Sequence, residues 1–202
     1  VTNLNRPWAD VGWVVVDVEG NGQQPPDLVE VACLPVDSGR PGPARVWLVR
    51  PPRPITGLVT RIHGIGNADV AGGPPVAEVA ENIRAALTGR LLVGHQVHVD
   101  LAVLTRELGR WPSPATVDTL RLAKAAWPGL PSYSLDALVE RAGIEPPQAA
   151  GARRHRAGYD AELTAALFLA LAAEADEGEL SAAQLVALAG GRPTNAGDTR
   201  LF

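Results

Sequence analysis

The chain switches between two hydrophobic rhythms. Trp13-Val-Val-Val-Asp-Val-Glu19 is β-branched and nearly continuous in its apolar character, as a central strand covered on both faces would be, and it stops at Gly20-Asn21-Gly22. Leu28 to Pro35 and Ala44 to Val49 read as a second and a third strand, each bounded by glycine and proline. Their short links predict an antiparallel meander. From Pro51-Pro52 to Pro75 a loop-rich stretch is expected. Val76, Val79, Ile83 and Leu87 then recur at helical spacing, and Leu91 to Gly94 has the content of a short strand. A second amphipathic helix is expected from about Val99 to Leu108, and a short strand at Thr116 to Asp118. Helical patterns follow at Leu120 to Trp127, Leu135 to Ala142 and Ala157 to Ala173, with Ser134 as N-cap of the middle one and a short helix at Ala182 to Leu188. This order predicts an α/β fold, a mixed sheet in which an antiparallel three-strand meander is joined by parallel strands and flanked by helices.

Composition narrows the field. With 202 residues, 46% of them hydrophobic, the chain can bury one substantial core. A single domain over residues 1–175 is expected, followed by a C-terminal extension over 176–202, part of it disordered. A net charge of −4 argues against a polybasic nucleic-acid or membrane binder, so any nucleic acid must be gripped locally. The single cysteine, Cys33, excludes an intramolecular disulfide framework and a cysteine-cluster zinc site, and its apolar neighbours make it a small buried hydrophobe. The first residues carry no apolar leader-like core, and no run approaches the roughly 18 apolar residues of a membrane span. A soluble, cytoplasmic protein without membrane contact is expected.

The candidate chemistry is acidic. Asp17 and Glu19 stand two apart on a strand, so both carboxylates project from one face together with Trp13 and Val15. Two such charges at the end of an apolar strand repel one another and favour a cation between them. Acidic-x-acidic pairs also occur at Asp160/Glu162, Glu174/Asp176 and Glu177/Glu179; what distinguishes Asp17/Glu19 is the strand end and the adjacent glycines, which let a ligand approach the backbone. Asp100 falls near the start of a helix leaving a buried strand, where an N-terminal helix acid is the plainer reading. Asp160 lies near the apolar stripe that includes Leu163, Leu167 and Leu171, an expensive place for a charge unless it is paired or metal-bound. His155, five positions earlier, is placed in the loop before that helix and is free to lean toward the same centre.

Three segments, Val14-Val-Val-Asp-Val-Glu-Gly-Asn-Gly22, Val93-Gly-His-Gln-Val-His-Val-Asp-Leu-Ala-Val-Leu104 and His155-Arg-Ala-Gly-Tyr-Asp-Ala161, resemble in order the three exonuclease motifs of the DnaQ-like, or DEDDh, family. Arg61-Ile-His-Gly-Ile65, Val117-Asp-Thr-Leu120 and Ser132-Tyr-Ser-Leu-Asp-Ala-Leu138 add to the likeness, which covers about residues 11 to 172. The resemblance implies a ribonuclease-H-like fold and a metal-dependent exonuclease releasing 5′-mononucleotides from the 3′ end of DNA or RNA. It further implies that Asp17, Glu19, Asp100 and Asp160 bind two Mg2+ or Mn2+ ions, that His155 is the general base, and that Gly20, Asn21, His63 and Gln96 contact substrate. Physical chemistry agrees: hard divalent ions prefer carboxylate oxygen, two of them neutralise four acids, and histidine exchanges protons near neutral pH. The chain departs from the family where Thr-Thr-Gly is usual and Gly20-Asn21-Gly22 stands, where Asn is frequent and Gln96 stands, and where an aromatic is frequent and Val99 stands. None of these changes touches an acid.

Other readings concern the surroundings. A transition-metal site from His63, His95, His98 and His155 lacks the i, i+4 spacing of a helical pair. Arg153, Arg154 and Arg156 are read either as phosphate contacts or as a solvated basic turn. Trp127 and Tyr133 are assigned to packing. The end Asp198-Thr-Arg-Leu-Phe202 faintly resembles peptides that enter a sliding clamp, making a clamp a candidate partner besides the nucleic acid. Trimming of RNA or short oligoribonucleotides, and a non-catalytic nucleic-acid-binding adaptor, are the alternative functions.

Overall fold

The computed structural model describes residues 3–109, 115–148, 154–176 and 178–191. Six strands, β1 (Trp13–Gly20), β2 (Leu28–Asp37), β3 (Arg40–Pro41), β4 (Arg45–Leu48), β5 (Leu91–Gly94) and β6 (Thr116–Asp118), form one sheet. The order is β3-β2-β1-β5-β6, with β4 also pairing β2. β1–β2 and β2–β4 are antiparallel, whereas β1–β5 and β5–β6 are parallel, so the expected mixed sheet is present. β2 runs two residues beyond the predicted end at Pro35. The Pro35 carbonyl accepts from Gly42 on the outer edge, so the missing proline N–H also faces outward and interrupts no bond to β1. β3, which the sequence pattern does not predict, follows a two-residue turn in which Ser38 (φ 51°) and Gly39 (φ 67°) are both left-handed, the backbone that a tight hairpin demands.

Helices cover both faces. Trp13, Val15 and Val93 point toward α7 (Ala157–Ala175), α5 (Thr119–Ala126), α6 (Leu135–Arg141) and α8 (Ala182–Leu188) in the larger core, where Phe168 meets the Trp13 ring at 5.2 Å. Val14, Val16 and Leu92 point the other way, onto α3 (Val76–Leu87) and α4 (His98–Leu108). The strict alternation along β1 explains why its sequence is apolar on both faces. The stretch expected to be loop contains two short helices, α1 (Gly57–His63) and α2 (Asn67–Val70), which close a satellite cluster of Val29, Ile55, Ile65 and Val70. Their seven and four residues are too few to show a helical period, and tertiary contacts set them.

Beyond the expected boundary near residue 175 the chain still contacts the larger core. Leu185 and Val186 of α8 are fully buried in the larger core beside Leu4 and Trp8, so residues 178–191 belong to the domain body. The clamp-like end, Asp198 to Phe202, lies outside the described residues. Among the described residues no helix is long and apolar enough to cross a membrane.

Candidate active site

The crevice follows from register. β5 pairs β1 only from Trp13↔Leu91 to Val15↔Val93 and ends at Gly94, whereas β1 continues beside β2 to Gly20. Asp17 and Glu19 therefore lie on an overhang past the end of the parallel neighbour, where open α/β sheets place their ligand sites. A register shift between Glu19 and Gly20 bends the strand there. Asp100 enters from the first turn of α4. Asp160 enters from the first turn of α7 on the opposite face. Asp100 and Asp160 are buried, at 6% and 5% exposure.

The carboxylates act on one another electrostatically. Burial, followed by repulsion from Asp100, Glu19 and Asp160, holds Asp17 well above the usual aspartate range. Burial and then repulsion from Asp160 push Glu19 up to about 7. Burial raises Asp100, with Glu19 and Asp118 adding to the effect, and it raises Asp160 against the opposing charge of Arg154. Oxygen atoms of Glu19 and Asp160 and a ring nitrogen of His155 all lie within 4.8 Å of one another, the group among the described residues with metal-ligand spacing. His155 lies just before α7, as expected, and is exposed. It has left-handed backbone (φ 59°), and its N–H donates to Asp160 at 3.0 Å. Two carboxylates and a ring nitrogen so spaced, with the buried acids Asp17 and Asp100 acting on them electrostatically from outside that group, fit a divalent cation.

The substrate-contact expectations fare differently. Asn21 is fully buried and its side chain is committed to its own loop, donating to Asp27 (2.7 Å) and Arg53 O while accepting from Asp27 N (2.9 Å) and Gln23 N. It shapes the turn after β1 and offers no side-chain atom outward. Gly22 (φ 76°) closes that turn against α1, where an added Cβ would stand 2.4 Å from Thr56 Oγ1. His63, the last residue of α1, is buried; its Nδ1 accepts from Ile65 N (3.0 Å) and its Nε2 faces Gly20 O (3.3 Å), which fixes α1 to the Gly20 turn. Gln96 is exposed beside the end of β5 with φ 61°, its N–H held by Asp118. His95 is clasped by Thr119 Oγ1 (3.0 Å) and Tyr133 O (3.1 Å), so it does not join His63 in a histidine site.

Neighbours fill in the rest. Arg154 makes ion pairs with both Asp160 and, at 2.5 Å, Asp136 of α6. Arg156 turns to Glu30, a buried acid on β2 that the sequence reading passed over. The signal was available: Glu30 is the one charge in the apolar run Leu28 to Leu34. Arg153 lies outside the described residues. Trp127 and Tyr133 pack on the larger core, the tyrosine hydroxyl donating to Trp127 O. Cys33 is buried and its thiol is pushed up to about 12 by burial, leaving it an inert hydrophobe.

A family model described as exonuclease matches residues 14–168. The chain is 35% identical over 173 residues to a DNA polymerase III subunit epsilon-like protein of Rhodobacter capsulatus, covering 82% of this chain and 24% of that one. It is 29% identical over 164 residues to the 3′-5′ exonuclease DinG of Bacillus subtilis (78% and 17%), and 33% identical over 155 residues to exodeoxyribonuclease 10 of Escherichia coli (77% and 66%). It thus spans a quarter or less of the first two relatives and about two thirds of the third. Among solved structures, Exonuclease X in complex with 5′ overhanging duplex DNA aligns with a TM-score of 0.72 at 29% identity, covering 88% of this chain and 99% of that one. E. coli Exonuclease I with a dT13 oligonucleotide shares the fold at 21% identity, with a TM-score of 0.65 over 79% of this chain and 40% of its own.

Proposed function

The chain belongs to the exonuclease family, and from that membership we propose that it is a metal-dependent 3′→5′ exonuclease that hydrolyses phosphodiester bonds of DNA to 5′-mononucleotides. The observation that carries the reading is the approach of Glu19, His155 and Asp160 to within 4.8 Å of one another at the open end of β1. Asp17, Glu19, Asp100 and Asp160 are the residues that would hold divalent cations, Mg2+ or Mn2+, two in number if all four acids are to be neutralised. Such ions supply Lewis acidity toward the phosphodiester and its attacking water.

The protein's own groups do the remainder. Asp160 is held by the N–H of His155, so its carboxylate need not reorganise when substrate arrives. His155, exposed at the rim and within reach of both Glu19 and Asp160, takes the proton from the attacking water. The small net negative charge leaves substrate grip to the site itself. DNA is favoured over RNA as substrate by the relatives' printed names and by the DNA in the Exonuclease X complex.

The test is incubation of the full chain with 5′-labelled single-stranded and 3′-recessed DNA, and with RNA, in Mg2+ or Mn2+. A ladder shortened from the 3′ end and lost with chelator, with His155→Ala or with Asp160→Asn supports the reading. Activity that survives Asp17→Asn or chelation overturns it, and binding without turnover under both cations would favour the adaptor.

A further inference from the structure

Glu19 and Glu30 are direct cross-strand partners on β1 and β2 and therefore share one face of the sheet. Glu19 faces the site. Glu30, at 1% exposure, is turned to the start of α7, where it accepts from Arg156 Nε (3.1 Å) and Nη2 (2.5 Å) and from the Ala157 N–H (2.8 Å). Arg156 is the N-cap residue of α7, with extended backbone and no capping hydrogen bond from its own side chain. The helix N-terminus is thus capped across the fold, by a carboxylate from the sheet. His155 precedes this clamp in a left-handed conformation uncommon outside glycine, and Asp160 follows it by one turn.

We propose that Glu30 and Arg156 are positioning residues for the reaction: their ion pair fixes the start of α7 and thereby holds His155 and Asp160 against Glu19. The inference rests on the exonuclease reading for the role of His155, but its geometric content, the placement of Asp160, does not. Removing Arg156 leaves Glu30 buried without its counter-charge, which threatens folding, whereas Arg156 is partly exposed. The informative variants are therefore the neutral pair Glu30→Gln/Arg156→Gln, which keeps an acceptor for Ala157 N–H, and the conservative Arg156→Lys.

The experiment measures kcat and KM on single-stranded DNA, and Mn2+ affinity by calorimetry, on full-length variants whose circular dichroism matches the parent. The expected result is a 10- to 100-fold fall in kcat with KM within about twofold, Mn2+ binding weakened about tenfold, and partial recovery of both in Arg156→Lys. Unchanged kcat and unchanged Mn2+ affinity in the folded neutral pair would overturn the proposal. A rise in KM alone would also overturn it, because it would make the pair a substrate contact. If the parent binds Mn2+ but hydrolyses no DNA, the exonuclease reading fails, and the Mn2+ comparison still decides whether the pair positions Asp160.

Discussion

Among individual residues, the acids at the end of β1 cost stability when they are charged. Glu19, pushed up to about 7 from an ordinary 4.5, holds its proton more tightly in the folded chain than in the unfolded one. The sign follows: its carboxyl favours the folded state at low pH, and that advantage is lost as pH rises from about 4.5 through about 7. Asp17 and Asp100, also raised, act in the same direction. In chelator, the midpoint of thermal unfolding should therefore be higher at pH 5 than at pH 8, a window above the range where Asp27 and Asp37, lowered by their arginine partners, become protonated. Scanning fluorimetry checks this, and the reverse order would contradict it. Asp17→Asn should raise the pH 8 midpoint of the chelated protein by a few degrees while abolishing exonuclease activity. The four acids and His155 proposed for the site could be picked out because each sits in a short motif. Glu30 stands out in the sequence as the one charge in the run Leu28 to Leu34, but its pairing does not, because Arg156 is 126 positions away.

Secondary elements were legible to the extent that burial imposed a period. β1 and α3 declare themselves because their faces repeat against neighbours, and Ser134, the expected N-cap of α6, does accept from Ala137 N. α1 and α2 escaped because their shape is set by caps and contacts, with Gly64 (φ 74°) ending α1 and Asn67 holding Ile55 through both its N–H and its carbonyl. The turn after β1 is equally tertiary. Gly22→Ala should destabilise the protein by about 1 to 3 kcal/mol, because left-handed backbone and a Cβ at 2.4 Å from Thr56 Oγ1 and 2.9 Å from Val59 leave no relaxed alternative. Urea denaturation with an unchanged m-value would register it, and a midpoint equal to the parent's would refute the packing argument.

Over the whole molecule, the mixed sheet was readable from the alternation of meander and β–α units, whereas its strand order and the packing of α8 come only from the fold. Acidic and polar text after residue 174 hides the four-residue spacing that seats Leu185 and Val186 among Leu4, Trp8 and Val117. The capping box of Ser181 and Gln184 starts α8, and backbone bonds from Ala182 and Ala183 to Arg6 and Leu4 lash it to the N-terminal segment. Leu185→Ala is expected to cost about 2 to 5 kcal/mol, as a fully buried leucine would. Ending the chain after residue 175 should lower the denaturation midpoint further than that single change. Equal stability of the shortened chain would return α8 to the status of an appendage.

The overhang of β1 beyond β5 means that Asp100 and Asp160 reach the centre from opposite sides of the sheet. A cation held there would act as a rivet through all three layers, its affinity counting against every fluctuation that lifts either helix away. Added Mn2+ should accordingly slow amide exchange in α4 and in α7 by the same factor, and protection confined to one of them would mean that the two layers breathe independently.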